Sequence, residues 1–166
     1  MTPEVVRLGP PANRVSSRAL WYWAARAAML WIVLLAAQVI WWFADSGGAR
    51  LPHLVVGAAW LVLALVHLVV MPQWRYRVHR WEATDTAVYT QTGWLSQERR
   101  IAPISRVQTV DSERGPLEQL FKLANVTVTT ASAAGPIKIE GLAARDADRL
   151  VADLTARVGE TTGDAT

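Results

Sequence analysis

Two runs of the chain leave few options for the rest. Residues 27–43 read AAMLWIVLLAAQVIWWF, residues 54–71 read LVVGAAWLVLALVHLVVM, and neither holds an ionised side chain. At about 1.5 Å of helical rise per residue, each run with its flanks spans most of a ~30 Å hydrocarbon core. Residues 44–53 join them and are rich in turn formers (Asp45, Ser46, Gly47, Gly48, Pro52), so the two helices return on themselves as an antiparallel hairpin. Trp21 and Trp23 mark one end of the first run and Trp41 and Trp42 the other, about 27 Å apart, as an interfacial aromatic belt would be. Arg26 lies one turn inside and can snorkel outward.

A cleaved signal peptide does not fit, because the first run is too long, is rich in Trp, lacks a small-residue cleavage pattern and is followed by a second run. A buried hairpin of a soluble protein does not fit either, since a remainder of ~90 residues cannot cover two helices that are apolar all round. Arg7, Arg14, Arg18 and Arg26 precede the first helix and Arg75, Arg77 and Arg80 follow the second, against Arg50 alone in the connector. Positive charge stays inside, so both termini are expected in the cytoplasm and the chain in the inner membrane.

Gln38 and His67 are the polar residues within the spans, and such residues are functional suspects. In an antiparallel hairpin Gln38 falls level with Gly57 and His67 with Met29 and Leu30. That difference in depth argues against one intramolecular haem or metal site. Ala36 and Ala37 fall level with Gly57 and Ala58, where small side chains are expected to let the backbones approach.

After Pro72 the chain turns cationic and aromatic. Trp74, Tyr76 and Val78 alternate with Arg75, Arg77 and His79, which reads as a strand leaving the membrane surface with Trp74 as interfacial anchor. Further strands are expected at 87–92, 94–101 and 104–111. Gly115-Pro116 then opens a short helix carrying Leu117, Leu120 and Phe121, and a hairpin of 125–130 with 136–140 follows. Residues 143–158 form an amphipathic helix with Leu150, Val151, Leu154 and Val158 on one stripe, Asp146 in its first turn and Gly159 just past its end. The ends, 1–16 and 160–166, have the composition of disordered tails. The chain therefore divides into an N-terminal segment 1–19, a membrane hairpin 20–72, a mainly β domain 73–159 and a tail 160–166.

The order of elements in GWLSQERRIAPISRVQTVDSERGPLEQLFKLANVTVTTA (93–131), behind two membrane helices and ahead of a short strand and an amphipathic helix, resembles the bacterial membrane-associated pleckstrin-homology-like domain family. The resemblance covers residues 20–158. It implies a partly open barrel of antiparallel strands capped by the C-terminal helix. Its motifs are architectural and carry no catalytic group. Members of this kind are often encoded beside a larger membrane protein with several such domains, which the resemblance makes a plausible partner; a second copy of this chain is another.

The chemistry of an enzyme is absent from the pattern: there is no phosphate loop, no paired carboxylates, no nucleophile elbow and no cysteine. His53, His67 and His79 show no metal-ligand spacing, and no cofactor is expected. Asp85 and Asp111 read as turn and strand-end residues. The loop 83–86, where phosphoinositide-binding relatives carry Lys and Arg, is acidic here, so specific inositol-phosphate recognition is not expected. Generic attraction of Arg75, Arg77, Arg80, Arg99, Arg100 and Arg106 to anionic headgroups is the more modest expectation. A net charge of +3 with no nucleic-acid motif excludes nucleic acid as the partner. The leading expectation is a non-catalytic adaptor docking proteins or anionic lipid, with Leu117, Leu120 and Phe121 as the alternative working surface. The competing expectation is a small oligomeric transport or cofactor-carrying protein that uses Gln38 and His67.

Overall fold

The computed structural model describes residues 9–94, 96–132 and 135–163, with the side chains of 160–163 excepted. A two-residue strand β1 (Asn13–Arg14) precedes α1 (Arg18–Ala44) and α2 (Leu51–Val78). Strands β2 (Arg80–Ala83), β3 (Ala87–Gly93), β4 (Gln97–Pro103) and β5 (Val107–Glu113) follow, then α3 (Pro116–Leu120), β6 (Leu123–Thr130), β7 (Ile137–Ala143) and α4 (Ala144–Gly163). The strands form two antiparallel sheets, β1-β2-β3-β4 and β5-β6-β7, which do not close into a barrel. The fold class expected from the sequence is the one observed.

Only 6% of the most apolar stretch of each long helix is buried, so neither is the core helix of a soluble protein. At 27 and 28 residues the helices are each about 40 Å long, roughly 10 Å more than a hydrocarbon core requires. The excess lies at the end near the domain and is built into it. Val15, Ala19, Tyr22, Trp23 and Leu123 form a buried cluster against which Tyr76, Trp81, Leu117 and Phe121 pack. The main domain core is a second cluster, joined to the first by Trp81: Val88, Val126, Val128 and Ile139 from the sheets and Ile104 meet Ala147, Leu150 and Leu154 from α4.

Several boundaries differ from the sequence reading, among them the strands expected at 94–101 and 104–111, which run over Gln97–Pro103 and Val107–Glu113 with a 3-10 turn, Ile104–Arg106, between them. The alternating stretch from Trp74 is not a strand, because α2 runs through Pro72 to Val78 and the first strand after it starts at Arg80. An internal proline costs a helix about 3 kcal/mol. Here the turns beyond it are fastened to the domain: Pro72 and Val78 are buried, and the His79 N–H bonds the Arg75 carbonyl at 2.8 Å. The N-terminal segment is also not a free tail from residue 9 onward. Asn13 and Arg14 pair with Trp81 and Arg80, the Ser16 N–H bonds Gly141 O at 2.9 Å, and α1 already begins at Arg18. At the other terminus α4 continues past Gly159 to Gly163, since an exposed helical glycine costs only about 1 kcal/mol. Residues 1–8 and 164–166 of the expected tails lie outside the described residues, as do Leu95 in the expected strand 94–101 and residues 133–134 in the β6–β7 turn.

The helix seam differs too. Ala36, Ala37 and Ala58 face outward, and a Cβ added at Gly57 would meet nothing within 4 Å. The hairpin closes instead on Ala64, which is buried, and on Trp31 and Trp60, whose rings meet edge-on at 6.1 Å. The Trp31 and Trp60 rings lie between the helices, while Ala36, Ala37 and Ala58 stay exposed.

Candidate functional site: a cleft at the membrane surface

Four short periodicities converge where the hairpin meets the sheets. On α2, His67, Met71 and Arg75 recur every four residues and share a face, and His79, the residue that caps the helix, follows at the same interval. On β3 and β4, Thr90 lies opposite Arg100 and Thr92 opposite Glu98, so these four point to one side of the sheet. On β7, Lys138 and Glu140, with Pro136 just ahead of the strand, alternate with the buried Ile137 and Ile139. Together with Gly93 and Trp94 these residues line a cleft of about 510 Å³. Gly93 makes the turn above it possible: φ is +132°, and a Cβ there would fall 1.9 Å from the Ser96 carbonyl oxygen. Trp94 reaches down to within 6.0 Å of the His67 ring, and its carbonyl accepts a hydrogen bond from Trp74 Nε1 at 2.8 Å.

The charges in the cleft are held in place. Arg75 pairs with Glu140 at 2.5 Å and lies 4.6 Å over the Trp23 ring. Arg100 pairs with Glu98 at 2.6 Å and also donates to Pro136 O at 3.1 Å. Lys138 takes part in none of the ion pairs found among the described residues. His79 is neutral near pH 7: burial, followed by the adjacent Arg75 guanidinium, lowers its pKa to about 4. Its Nδ1 faces the Arg75 carbonyl at 2.9 Å and its Nε2 faces the Arg75 Nε–H at 3.4 Å, an arrangement that puts the proton on Nδ1. Three cations therefore face two carboxylates, beside two threonine hydroxyls.

A second network ties the helices to the sheet behind the cleft. Arg26 donates to the Tyr22 hydroxyl (3.1 Å), which donates to Glu118 (2.7 Å). Asn125 also donates to Glu118 (3.2 Å) and accepts from the Gly141 N–H (3.0 Å). These bonds, the one from Tyr22 first, hold the Glu118 carboxyl below its usual pKa. Gly141 has φ +77°, and a Cβ there would lie 2.9 Å from Ala19 Cβ, so α1 approaches β7 as closely as it does only over a glycine.

The structure disperses the arginines singled out in the sequence. Arg75 and Arg100 enter the cleft and Trp74 stands at its rim. Arg77 is exposed on α2 outside the cleft. Arg80 bonds Pro11 O at 3.4 Å, and Arg99 and Arg106 are exposed elsewhere. Of the apolar trio, Leu117 and Phe121 pack on the Tyr22–Trp23 cluster and Leu120 alone projects, 72% exposed. Trp23, read as a belt residue, is 1% exposed inside the domain junction, whereas Trp21 is 72% exposed. Gln38 donates to His53 O (3.1 Å) and His67 accepts from Trp31 Nε1 (2.9 Å), each on its own level of the hairpin. Among the described residues no group of His, Asp and Glu could hold a metal ion. Lys138, Glu140, Thr90 and Thr92 were not singled out from the sequence. Their signal is the two-residue alternation of 136–140 and 90–92, whose meaning depends on which helix faces them.

A membrane hairpin that carries two facing antiparallel sheets and a capping helix defines a class: a transmembrane protein with a pleckstrin-homology-like domain. The bacterial PH domain model matches residues 15–158, and the chain belongs to that family. The UPF0699 transmembrane protein YdbS of Bacillus subtilis (strain 168) is 31% identical over 163 residues, covering 93% of this chain and 96% of that one. No solved structure matches.

Proposed function

We propose that the protein is a non-catalytic adaptor of the inner membrane that presents its PH-like domain, on the cytoplasmic side, to a protein partner and to anionic lipid. One observation carries this reading: the domain has no linker. Ala19, Tyr22 and Trp23 of α1 and Tyr76 and Val78 of α2 are packed within it, so its faces keep a set height and orientation above the bilayer. A domain fastened in this way suits docking better than a swinging reach for distant substrate. The open edge strand β4, with Ile101 55% exposed, supports a protein partner. A larger membrane protein with several PH-like domains, or a second copy of this chain, fits that description. The arginine distribution supports cytoplasmic termini.

Affinity purification of the tagged full chain in mild detergent, followed by mass spectrometry, tests the reading. A recurrent membrane-protein partner or a stable homo-oligomer is expected. A lone monomer across several detergents overturns the docking role.

A further inference from the structure

The cleft is shaped for a particular occupant. Its α2 wall begins at His67, inside the apolar span, passes Met71, the last residue of that run, and continues through Arg75 to His79 in the domain. Three helical steps of four residues cover about 18 Å along the axis. The cleft thus carries Met71, Trp94 and a histidine of the uncharged run, His67, where the apolar span ends, and its ion pairs and Lys138 lie on the domain side. A soluble ligand has no use for the lower part, whereas an amphiphile needs both.

The charges select the head. The Arg75–Glu140 and Arg100–Glu98 pairs cancel formally, and His79 is neutral, which leaves the Lys138 ammonium as the net charge of the lining. A head with one negative charge balances it, and a zwitterionic head leaves it uncompensated. The guanidinium N–H groups and the hydroxyls of Thr90 and Thr92 can donate to phosphate oxygens, and Glu98 and Glu140 can accept from head hydroxyls. The volume falls within the range of about 300–1,000 Å³ usual for small-molecule sites.

We infer that this cleft holds the phosphodiester head of an anionic phospholipid of net charge −1, with the phosphate between Arg100 and Lys138 and the acyl chains descending past Met71 and His67. The inference rests on the proposed lipid contact of the domain and narrows it to one site.

The test uses the full chain in detergent micelles doped with phosphatidylglycerol and phosphatidylethanolamine in equal amounts, then passed through size exclusion, with the retained lipid counted by mass spectrometry. Retained lipid should be enriched in phosphatidylglycerol. Lys138→Gln should lower that enrichment about fivefold, Lys138→Arg should restore it, and Arg99→Gln, on the same strand as Arg100 but outside the cleft, should leave it unchanged. Lys138 is exposed, so its replacement leaves the core intact. Millimolar sn-glycerol 3-phosphate or inorganic phosphate should not compete; competition by either means that the site takes soluble phosphate, which overturns the lipid assignment. Equal loss in Lys138→Gln and Arg99→Gln overturns the cleft and leaves general surface attraction standing. No enrichment in the wild type overturns both.

Discussion

The two ends of the hairpin are made of similar residues and do different work. At the far end Asp45 meets His53 Nε2 at 2.8 Å, the His53 ring lies 4.0 Å from that of Trp41, and Arg50 sits over Trp42 at 4.8 Å while bonding its carbonyl. Every partner there belongs to residues 38–53, so the end closes on itself. At the near end Trp23, Arg75 and His79 form a similar indole, guanidinium and imidazole cluster, with ring centroids 5.1 Å apart, but its carboxylate is Glu140 of β7. One cluster finishes a turn, and the other joins a membrane helix to a sheet. The difference lies in what the chain does next: the connector after α1 is six residues long, whereas the polypeptide after α2 builds a domain that can supply partners.

The comparison fails most completely if the ends share a compartment. A reporter in the connector after Gly47 and one at the C-terminus should give opposite, all-or-none signals, with the C-terminal one cytoplasmic. The same signal at both positions removes the hairpin altogether.

The next largest effect separates two tryptophans two residues apart. Trp23→Ala removes a side chain that is 1% exposed in the junction and should destabilise the domain by about 3–5 kcal/mol in thermal unfolding of the full chain. Trp21→Ala, at 72% exposure, should change it by less than about 0.5 kcal/mol. Equal effects would mean that α1 enters the membrane without passing through the domain.

How far the sequence reveals this architecture depends on the length of each signal. Two runs of 17 and 18 residues without an ionised side chain reveal the hairpin, and the turn residues between 84 and 136 separate the strands. Five alternating residues, 74–78, satisfy a strand and a helix equally well, and Pro72 tips the reading toward a break. What keeps α2 helical there is Glu140, 65 residues away, and the buried seat of Val78. The same limit hides the cleft. Arg75 and Arg100 stand out as charge, but Lys138 and Glu140 look like the solvated face of a strand until the helix opposite is known. Small residues at 36, 37, 57 and 58 match in depth, yet depth says nothing of which face they occupy, and Ala36, Ala37 and Ala58 are exposed.

Acid should weaken the near end through His79. Its pKa in the folded state, about 4, lies below the ordinary histidine value of 6.5. The stability from keeping the ring neutral is therefore complete above about pH 6.5 and is lost as pH falls through 4, a change of roughly 3 kcal/mol over that window. Glu118 is also held below its ordinary value, which lies at 4.5, so its contribution fades at the acid end of the window and below it. Unfolding followed from pH 7 to pH 4 should show the slope in the wild type and a much shallower one in His79→Gln. An unchanged slope in the variant would assign the acid sensitivity to the carboxylates.

The smallest effect belongs to the far end and is the most informative about coupling. Asp45 accepts from the Gly47 N–H at 2.9 Å as well as facing His53, and these two bonds, the one with His53 first, hold its carboxyl below the ordinary range. Asp45→Asn keeps an oxygen for the Gly47 N–H and removes the charge facing His53. Because every partner of this cluster lies within the hairpin's own end, domain unfolding should keep its Tm, while amide exchange at Gly47 and over residues 50–54 quickens. A lowered Tm would mean that the far cluster sets the helix register that the near cluster uses. In that case the hairpin would transmit strain along its full length, and the two ends would be one device read from opposite sides of the bilayer.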